Sequence, residues 1–211
     1  MKAERKLVIL TTAICLLPIL AGLALYSRLP EQVPTHFDFN GVPDGWSSRP
    51  VAVFALPCLM AALNLILHIC LEKDPKRANM SRRLKMICFW IIPAAAVLCC
   101  GLTLWAALGK TTHVETILPL IVGLLFVLIG NYLPKTKQSY TMGIRVRWTL
   151  ESEENWNRTH RLAGFLWVIG GGLLILLALL HLTNGWLLGG LLLAMVLIPV
   201  LFSHLLHKKG V

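Results

Sequence analysis

Polar side chains that could bind a ligand lie close together in the segment VPTHFDFNGVPDGW, residues 33–46. Imidazole and carboxylate groups are common metal ligands, but the spacing does not match the calcium loop of an EF-hand, where glycine stands at the sixth position. The alternation in VPTHFDFN instead predicts an extended strand with polar residues on one side and phenylalanines on the other. We therefore expect a binding surface without a metal or cofactor, formed by His36, Asp38, Asn40, Gly41, Asp44 and Trp46.

A second polar feature lies inside an apolar run. Asn64 and His68 are four residues apart, which places them on one face of a helix. An amide or imidazole without a partner in hydrocarbon is costly. This candidate intramembrane polar pair has two interpretations, a hydrogen bond between helices or a site for a ligand or proton, and the sequence leaves both open.

The most polar stretch is GIRVRWTLESEENWNRTHRLAG, residues 143–164, called the signature segment below. An arginine at the centre of a bilayer costs at least about 3 kcal/mol, so this segment must begin at a membrane surface. Gly143 and the alternating residues after it predict a short extended piece. Its candidate functional residues are Gly143, Arg145, Arg147, Trp148, Thr149, Trp156 and His160.

A helix is predicted to begin near residue 153 and to continue into the membrane. Thr149 or Ser152 can cap it, because a side-chain hydroxyl accepts hydrogen bonds from the first N–H groups of a helix. Trp156, His160, Ala163 and Trp167 then lie on one stripe of that helix. The segment is thus predicted to be an interfacial elbow that positions the last two helices.

Motifs of common enzymes are absent from the chain. There is no HExxH, no GxSxG and no glycine-rich phosphate loop, so we predict a protein that is not an enzyme. The six cysteines lie within or beside apolar runs and form no CxxC pair, which is typical of small buried side chains.

Hydrophobic residues make up 56% of the 211 residues and charged residues only 14%, against about 25% in an ordinary soluble domain. A helix needs about 20 apolar residues to cross a membrane. Six runs qualify, and they predict an all-α integral membrane protein with a single membrane domain, residues 1–211. The predicted spans lie near residues 7–27, 51–71, 86–108, 117–133, 162–182 and 186–206.

The distribution of basic residues predicts the orientation. With a cytoplasmic N-terminus, 17 of the 20 lysines and arginines fall in cytoplasmic segments, and only Arg28, Arg49 and Lys110 fall outside. Both termini and the elbow are therefore predicted to be cytoplasmic, and the structured loop 28–50 extracellular. The net charge of +10 then indicates anionic membrane lipids, not nucleic acid, as the partner.

Two stretches carry a resemblance to a known family. The signature segment and the loop LPEQVPTHFDFNGVPDGW are similar to the SdpI family of six-helix bacterial membrane proteins, and the resemblance covers nearly the whole chain. The motif positions that match are Gly143, Arg145, Trp148, Thr149, Trp156 and His160 in the signature segment, and Pro34, His36, Gly41 and Asp44 in the loop.

The SdpI resemblance implies a function. It implies a multi-pass immunity protein of the bacterial cytoplasmic membrane that protects the producing cell against a secreted, membrane-active peptide toxin. It also implies signal transduction, in which the toxin-bound protein holds a cytoplasmic transcriptional repressor at the membrane. It identifies neither the toxin nor a repressor.

One alternative comes from the residues themselves. Five prolines interrupt the apolar runs, and together with Asn64 and His68 they are compatible with a small transporter or channel. No Asp, Glu, Lys or Arg lies deep in a predicted helix, which argues against this alternative.

Overall fold

The computed structural model describes residues 2–211 and is mainly helical. Its helices and strands are α1 (Lys2–Leu25), β1 (Gln32–Phe37), β2 (Pro43–Ser48), α2 (Leu56–Lys73), α3 (Arg82–Ala107), α4 (Val114–Tyr132), α5 (Arg147–Glu151), α6 (Glu153–Leu179) and α7 (Gly185–Lys208). A π-helical turn, Val51–Ala55, leads into α2. Single 3-10 turns lie at Tyr26–Arg28, Arg77–Asn79 and Leu133–Lys135.

All the helices except α5 are long and apolar enough to cross a membrane. The six candidate spans have 22 to 27 residues and mean hydropathies between 2.2 and 2.5. Large apolar side chains such as Ile9, Leu20 and Ile169 face outward, as lipid-facing residues do. The prediction of six spanning helices is confirmed, and the chain is a multi-pass membrane protein.

The helices fall into two compact units. Unit 1 contains the residues up to Cys70 together with Lys85–Val114, and unit 2 contains Leu71–Leu84 and Glu115–Val211. Unit 1 therefore holds the loop between α1 and α2, and unit 2 holds the signature segment.

In unit 1 the strands β1 and β2 form an antiparallel hairpin, residues 32–48, called the hairpin below. The register pairs Gln32 with Ser48 and Pro34 with Trp46, and it shifts on either side of His36. The inner side of the hairpin is apolar, because Val33 is fully buried in a cluster with Leu29, Ala52, Val53 and Leu104. This cluster holds the hairpin against the helices of unit 1.

In unit 2, α4 and α6 touch backbone to backbone through glycines. A Cβ atom on Gly123 would lie 2.7 Å from the carbonyl oxygen of Gly171, and one on Gly164 would lie 2.8 Å from that of Gly130. Small residues allow such close contact, which provides van der Waals packing between membrane helices. Trp167 joins α6 to α7 by donating its indole N–H to the Met195 carbonyl, at 2.9 Å.

Candidate functional site

The hairpin presents an exposed face with three of the predicted ligand-facing residues. Asp44 and Trp46 alternate with more buried residues along β2, and His36 lies across from Gly45 on β1. The His36 imidazole Nδ1 is hydrogen-bonded to the Asp44 carboxylate, and both side chains are exposed. Trp46 is 57% exposed. The tertiary structure therefore brings His36, Asp44 and Trp46 onto one solvent-facing surface.

Asp38, Asn40 and Gly41 have a different role, because they close the turn of the hairpin. The Asp38 carboxylate accepts the backbone N–H groups of Val42 and Asn40, at 2.8 and 2.9 Å, and Gly41 has a φ of 77°. The hydrogen bond from Val42 is the largest of the contacts that lower the pKa of the Asp38 carboxyl. The expectation that Asp38 and Asn40 continue the polar side of a strand is wrong, since this turn ends β1 at Phe37.

Two apolar residues at the tip extend the exposed surface. Phe39 and Val42 are more than half exposed, although both are large and apolar. Neither residue was predicted to contact a ligand. The available signal was their position on either side of the Asn40-Gly41 turn. Exposed apolar patches of this kind commonly mark interaction sites.

In the signature segment, residue 143 must be glycine for two reasons, its backbone conformation and the lack of room for a side chain. Its φ of 102° is a conformation that side chains with a Cβ rarely adopt. A Cβ atom at this position would also lie 2.5 Å from Nε2 of His160 and 2.8 Å from the Trp156 ring. Glycine at residue 143 therefore allows the loop to lie directly on α6.

His160 and Trp156 hold this loop by using all their polar atoms. His160 Nε2 accepts the Ile144 N–H at 2.9 Å, so its proton is on Nδ1, which donates to the Trp156 carbonyl at 2.8 Å. The Trp156 ring stacks on the imidazole at 3.9 Å and donates its N–H to the Thr136 carbonyl at 2.8 Å. Both side chains are completely buried. They are packing residues, not surface contacts.

Thr149 and Ser152 were the two candidates for capping the helix near residue 153, and the structure gives that role to Ser152. Ser152 caps α6, since its hydroxyl accepts the Asn155 N–H at 3.1 Å. Thr149 is fully buried, and its hydroxyl accepts the Val146 N–H at 3.1 Å. It thereby organises the first turn of α5, a short helix that replaces part of the predicted extended piece.

The remaining signature residues lie nearer the surface. Trp148 packs against His204 and His207 of α7, with ring centroids 5.0 and 6.0 Å apart. Arg147 is exposed and forms an ion pair with Glu151, a contact that raises the pKa of its guanidinium. Arg145 is exposed and donates to the Tyr140 carbonyl. Among the candidate functional residues of the segment, Arg145 and Arg147 are therefore the ones whose side chains are exposed.

A hydrogen-bond network around Asp74 was not predicted from the sequence. The buried Asp74 carboxylate accepts the Ser139 hydroxyl at 2.7 Å, the Thr141 N–H at 2.8 Å and the Lys76 N–H at 2.7 Å. Burial raises the pKa of Asp74, but these hydrogen bonds outweigh it and the pKa is lowered. No local pattern signalled these contacts, because Ser139 and Thr141 lie 65 and 67 positions from Asp74. Asp74 ties the α2–α3 loop to the segment before residue 143.

Asn64 and His68 lie against α1 in unit 1. The Asn64 amide donates to the hydroxyls of Thr11 and Thr12, at 3.2 and 3.0 Å. His68 Nε2 is 3.2 Å from the same Thr11 hydroxyl. The two residues thus form hydrogen bonds between helices, as in the first interpretation of this pair. One acceptor on each remains unused.

Comparisons with known families match both polar regions. A domain of unknown function, DUF1648, matches residues 13–61, which include the whole hairpin. The SdpI/YfhL protein family matches residues 135–203, which include the whole signature segment. Residues 135–203 are therefore similar to the SdpI/YfhL family. The SdpI resemblance drawn from the sequence is thereby confirmed.

The similarity to SdpI extends beyond that domain. The immunity protein SdpI of Bacillus subtilis (strain 168) is 25% identical over 174 residues, which cover 81% of this chain and 80% of the relative. No solved structure gives a significant match. The SdpI relationship and the six spanning helices place the chain among multi-pass bacterial membrane proteins.

Proposed function

We propose that this SdpI-like chain is a non-enzymatic immunity protein that protects its bacterium against a secreted, membrane-active peptide toxin. The observation that carries the proposal is the match to an immunity protein over four-fifths of both chains. That similarity covers most of the chain, and two family models separately match the hairpin and the signature segment. It therefore supports a common task for the whole molecule.

The proposal requires the hairpin to face the cell exterior and the signature segment to face the cytoplasm. Three candidate membrane-spanning helices, α2, α3 and α4, separate the two regions along the chain, and an odd number of crossings puts them on opposite sides of a membrane. The distribution of lysines and arginines favours a cytoplasmic signature segment. Single cysteines at Ser48 and Arg147 can be labelled with a membrane-impermeant maleimide. We expect Ser48→Cys to react in intact cells and Arg147→Cys to react only after permeabilisation, above the background of the unmodified chain. The reverse pattern would contradict the proposal.

The toxin is proposed to bind the exposed face of the hairpin. Trp46, Phe39 and Val42 offer apolar contact area, and the His36–Asp44 pair offers polar groups beside it. Aromatic anchors surrounded by polar groups are typical of protein–peptide contacts. A hydrophobic peptide could reach this face without entering the helices of unit 1.

Protection can be measured by expressing the chain in a toxin-sensitive strain. We expect survival with the unmodified chain and at least a tenfold loss of protection with Trp46→Ala. Trp186→Ala is the matched control, because Trp186 is 93% exposed at the start of α7, on the same predicted side of the membrane. Failure of the unmodified chain against every related peptide would contradict the immunity function. Equal effects of the two variants would contradict the hairpin contact.

We further propose that Arg145 and Arg147 contact a cytoplasmic regulator, such as a repressor. Buried partners orient this loop, and both guanidinium groups face outward. Arg147→Glu is expected to abolish recruitment of such a regulator to membranes and to leave toxin protection intact. Arg161→Glu is the control, since Arg161 is exposed on α6 beyond the loop. Loss of protection together with recruitment would contradict separate roles for the two faces.

Transport is the second candidate function. It is favoured by the unused acceptors on Asn64 and His68 within a membrane-spanning helix. A proteoliposome flux assay distinguishes it from immunity. Proton or ion flux that depends on His68 would support transport, and the absence of flux would leave immunity as the function.

A further inference from the structure

The polar cluster between α1 and α2 contains four side chains in unit 1. They are Thr11 and Thr12 on α1, and Asn64 and His68 on α2. Thr11 and Asn64 are completely buried and His68 is nearly so. The positions of the protons in this cluster follow from the donors and acceptors available.

Thr11 has a single hydroxyl proton, which it donates to the Val8 carbonyl at 3.1 Å. The Thr11 oxygen must therefore be the acceptor for both Asn64 and His68. His68 then carries its proton on Nε2. Its other ring nitrogen, Nδ1, is left with a free lone pair.

The Asn64 amide shows the same surplus of acceptors. Both protons of its Nδ2 point at hydroxyls, those of Thr11 and Thr12, and its Oδ1 remains. Asn64 Oδ1 and His68 Nδ1 are buried, and no hydrogen-bond donor among residues 2–211 reaches either atom. Buried acceptors are almost always paired in folded proteins. The missing partner must supply two donor hydrogens.

We infer that one water molecule binds between α1 and α2 and donates one hydrogen to Asn64 Oδ1 and the other to His68 Nδ1. The two residues are one helical turn apart on α2 and both contact the Thr11 hydroxyl, which places their side chains on the same face of the helix. A single partner shared by their two unpaired atoms must then donate two hydrogens. Water is the smallest neutral ligand with two donors. Buried waters commonly satisfy polar groups in this way.

A proton on His68 is the competing solution, and electrostatics disfavours it. A cationic imidazole would stand within a membrane-spanning helix, which costs more than immobilising one water. The charged groups nearby on α3 and α1 are Lys85 and Glu4, which are engaged with each other at 2.6 Å. Phe89 of α3 covers the imidazole, with ring centroids 4.3 Å apart, and offers no anion to balance a charge.

Solid-state NMR of the full chain in phosphatidylcholine and phosphatidylglycerol bilayers tests the inference. We expect the His68 nitrogens to show a neutral ring protonated on Nε2, with Nδ1 accepting a hydrogen bond. Polarisation transferred from water should reach His68. Labelling histidine carbonyls and isoleucine nitrogens assigns the signal, because His68-Ile69 is the sole His–Ile pair in the sequence.

His160 is the internal control, because its contacts predict the opposite tautomer with Nδ1 protonated and no water contact. A His68 ring protonated on Nδ1, a cationic ring, or a ring without transfer from water would each overturn the inference. Asn64→Leu removes one acceptor and should abolish the transfer, whereas Thr12→Val should preserve it. If Asn64→Leu does not fold, the tautomer and the transfer in the unmodified chain still decide. None of these outcomes depends on toxin protection.

Discussion

The hairpin and the signature segment use the same residue types for opposite purposes. Each contains a histidine, a tryptophan and a glycine with a positive φ, Gly41 in the hairpin and Gly143 in the signature segment. In the signature segment, His160 and Trp156 are completely buried, and their polar atoms bond to backbone groups of the same unit. In the hairpin, His36 and Trp46 face outward. A polar motif in a membrane protein can therefore serve packing as readily as recognition. Its role depends on whether nearby backbone groups are available to form hydrogen bonds with its side chains.

If this contrast holds, substitutions in the signature segment should act mainly on stability and substitutions on the hairpin face mainly on binding. The largest effect is expected for Gly143→Ala. The strained φ and the contact with His160 together should cost about 2 to 5 kcal/mol in the free energy of unfolding. Gly109→Ala is the control, because Gly109 also has a positive φ but open space around it, and it should cost only about 1 kcal/mol. Equal losses of Tm in detergent for the two variants would show that the close approach to α6 is unimportant.

Trp156→Phe should have the next largest effect. The ring can still pack, but the buried Thr136 carbonyl loses its donor, a change of about 1 to 3 kcal/mol. Trp148→Phe is the matched control, since no hydrogen-bond acceptor among the described residues reaches the Trp148 N–H. Thermal unfolding of both variants measures the difference. A larger loss for Trp148→Phe would contradict the role assigned to the Trp156 hydrogen bond.

Asp74→Asn tests whether the α2–α3 loop belongs to the stable part of unit 2. The pKa of Asp74 is lowered by folding, so the ionised carboxylate stabilises the fold above the unfolded pKa of about 3.9. This contribution is lost as the pH falls through the lower folded pKa. The Tm difference between the unmodified chain and the variant should be constant above about pH 5 and shrink below about pH 4. A difference independent of pH would exclude this charge as its source.

The smallest effect on stability is expected for His36→Ala. An exposed polar contact such as that between His36 and Asp44 contributes about 0 to 1 kcal/mol, so the Tm should barely change. Toxin protection should fall if the exposed face of the hairpin is the contact surface. A variant that unfolds would show that His36 supports the hairpin instead of a ligand.

The sequence predicted the membrane helices and the start of α6 correctly. Run length and apolar composition suffice for the spans because hydrocarbon forces backbone groups to pair within each helix. The start of α6 at Glu153 follows from the Ser152 cap, which is a local interaction. Helical periodicity alone defines the predicted stripe, and its first three residues, Trp156, His160 and Ala163, are buried. The fourth, Trp167, is only partly buried.

Other features depended on contacts between distant residues. Asp74 and Ser139 are 65 positions apart, and Thr11 and His68 are 57 apart, so no local pattern indicates either bond. The turn at Asp38 also differed from the predicted strand, because a side-chain hydrogen bond to Val42 competes with β pairing.

The sequence by itself thus determined which segments enter the membrane and which remain at its surfaces, because burial of apolar groups depends on composition. Only the tertiary structure decided which surface residues are occupied in packing and which are free to bind. Donors and acceptors such as His160 and Ile144 meet only after the chain has folded, whereas Trp46 of the hairpin stays exposed.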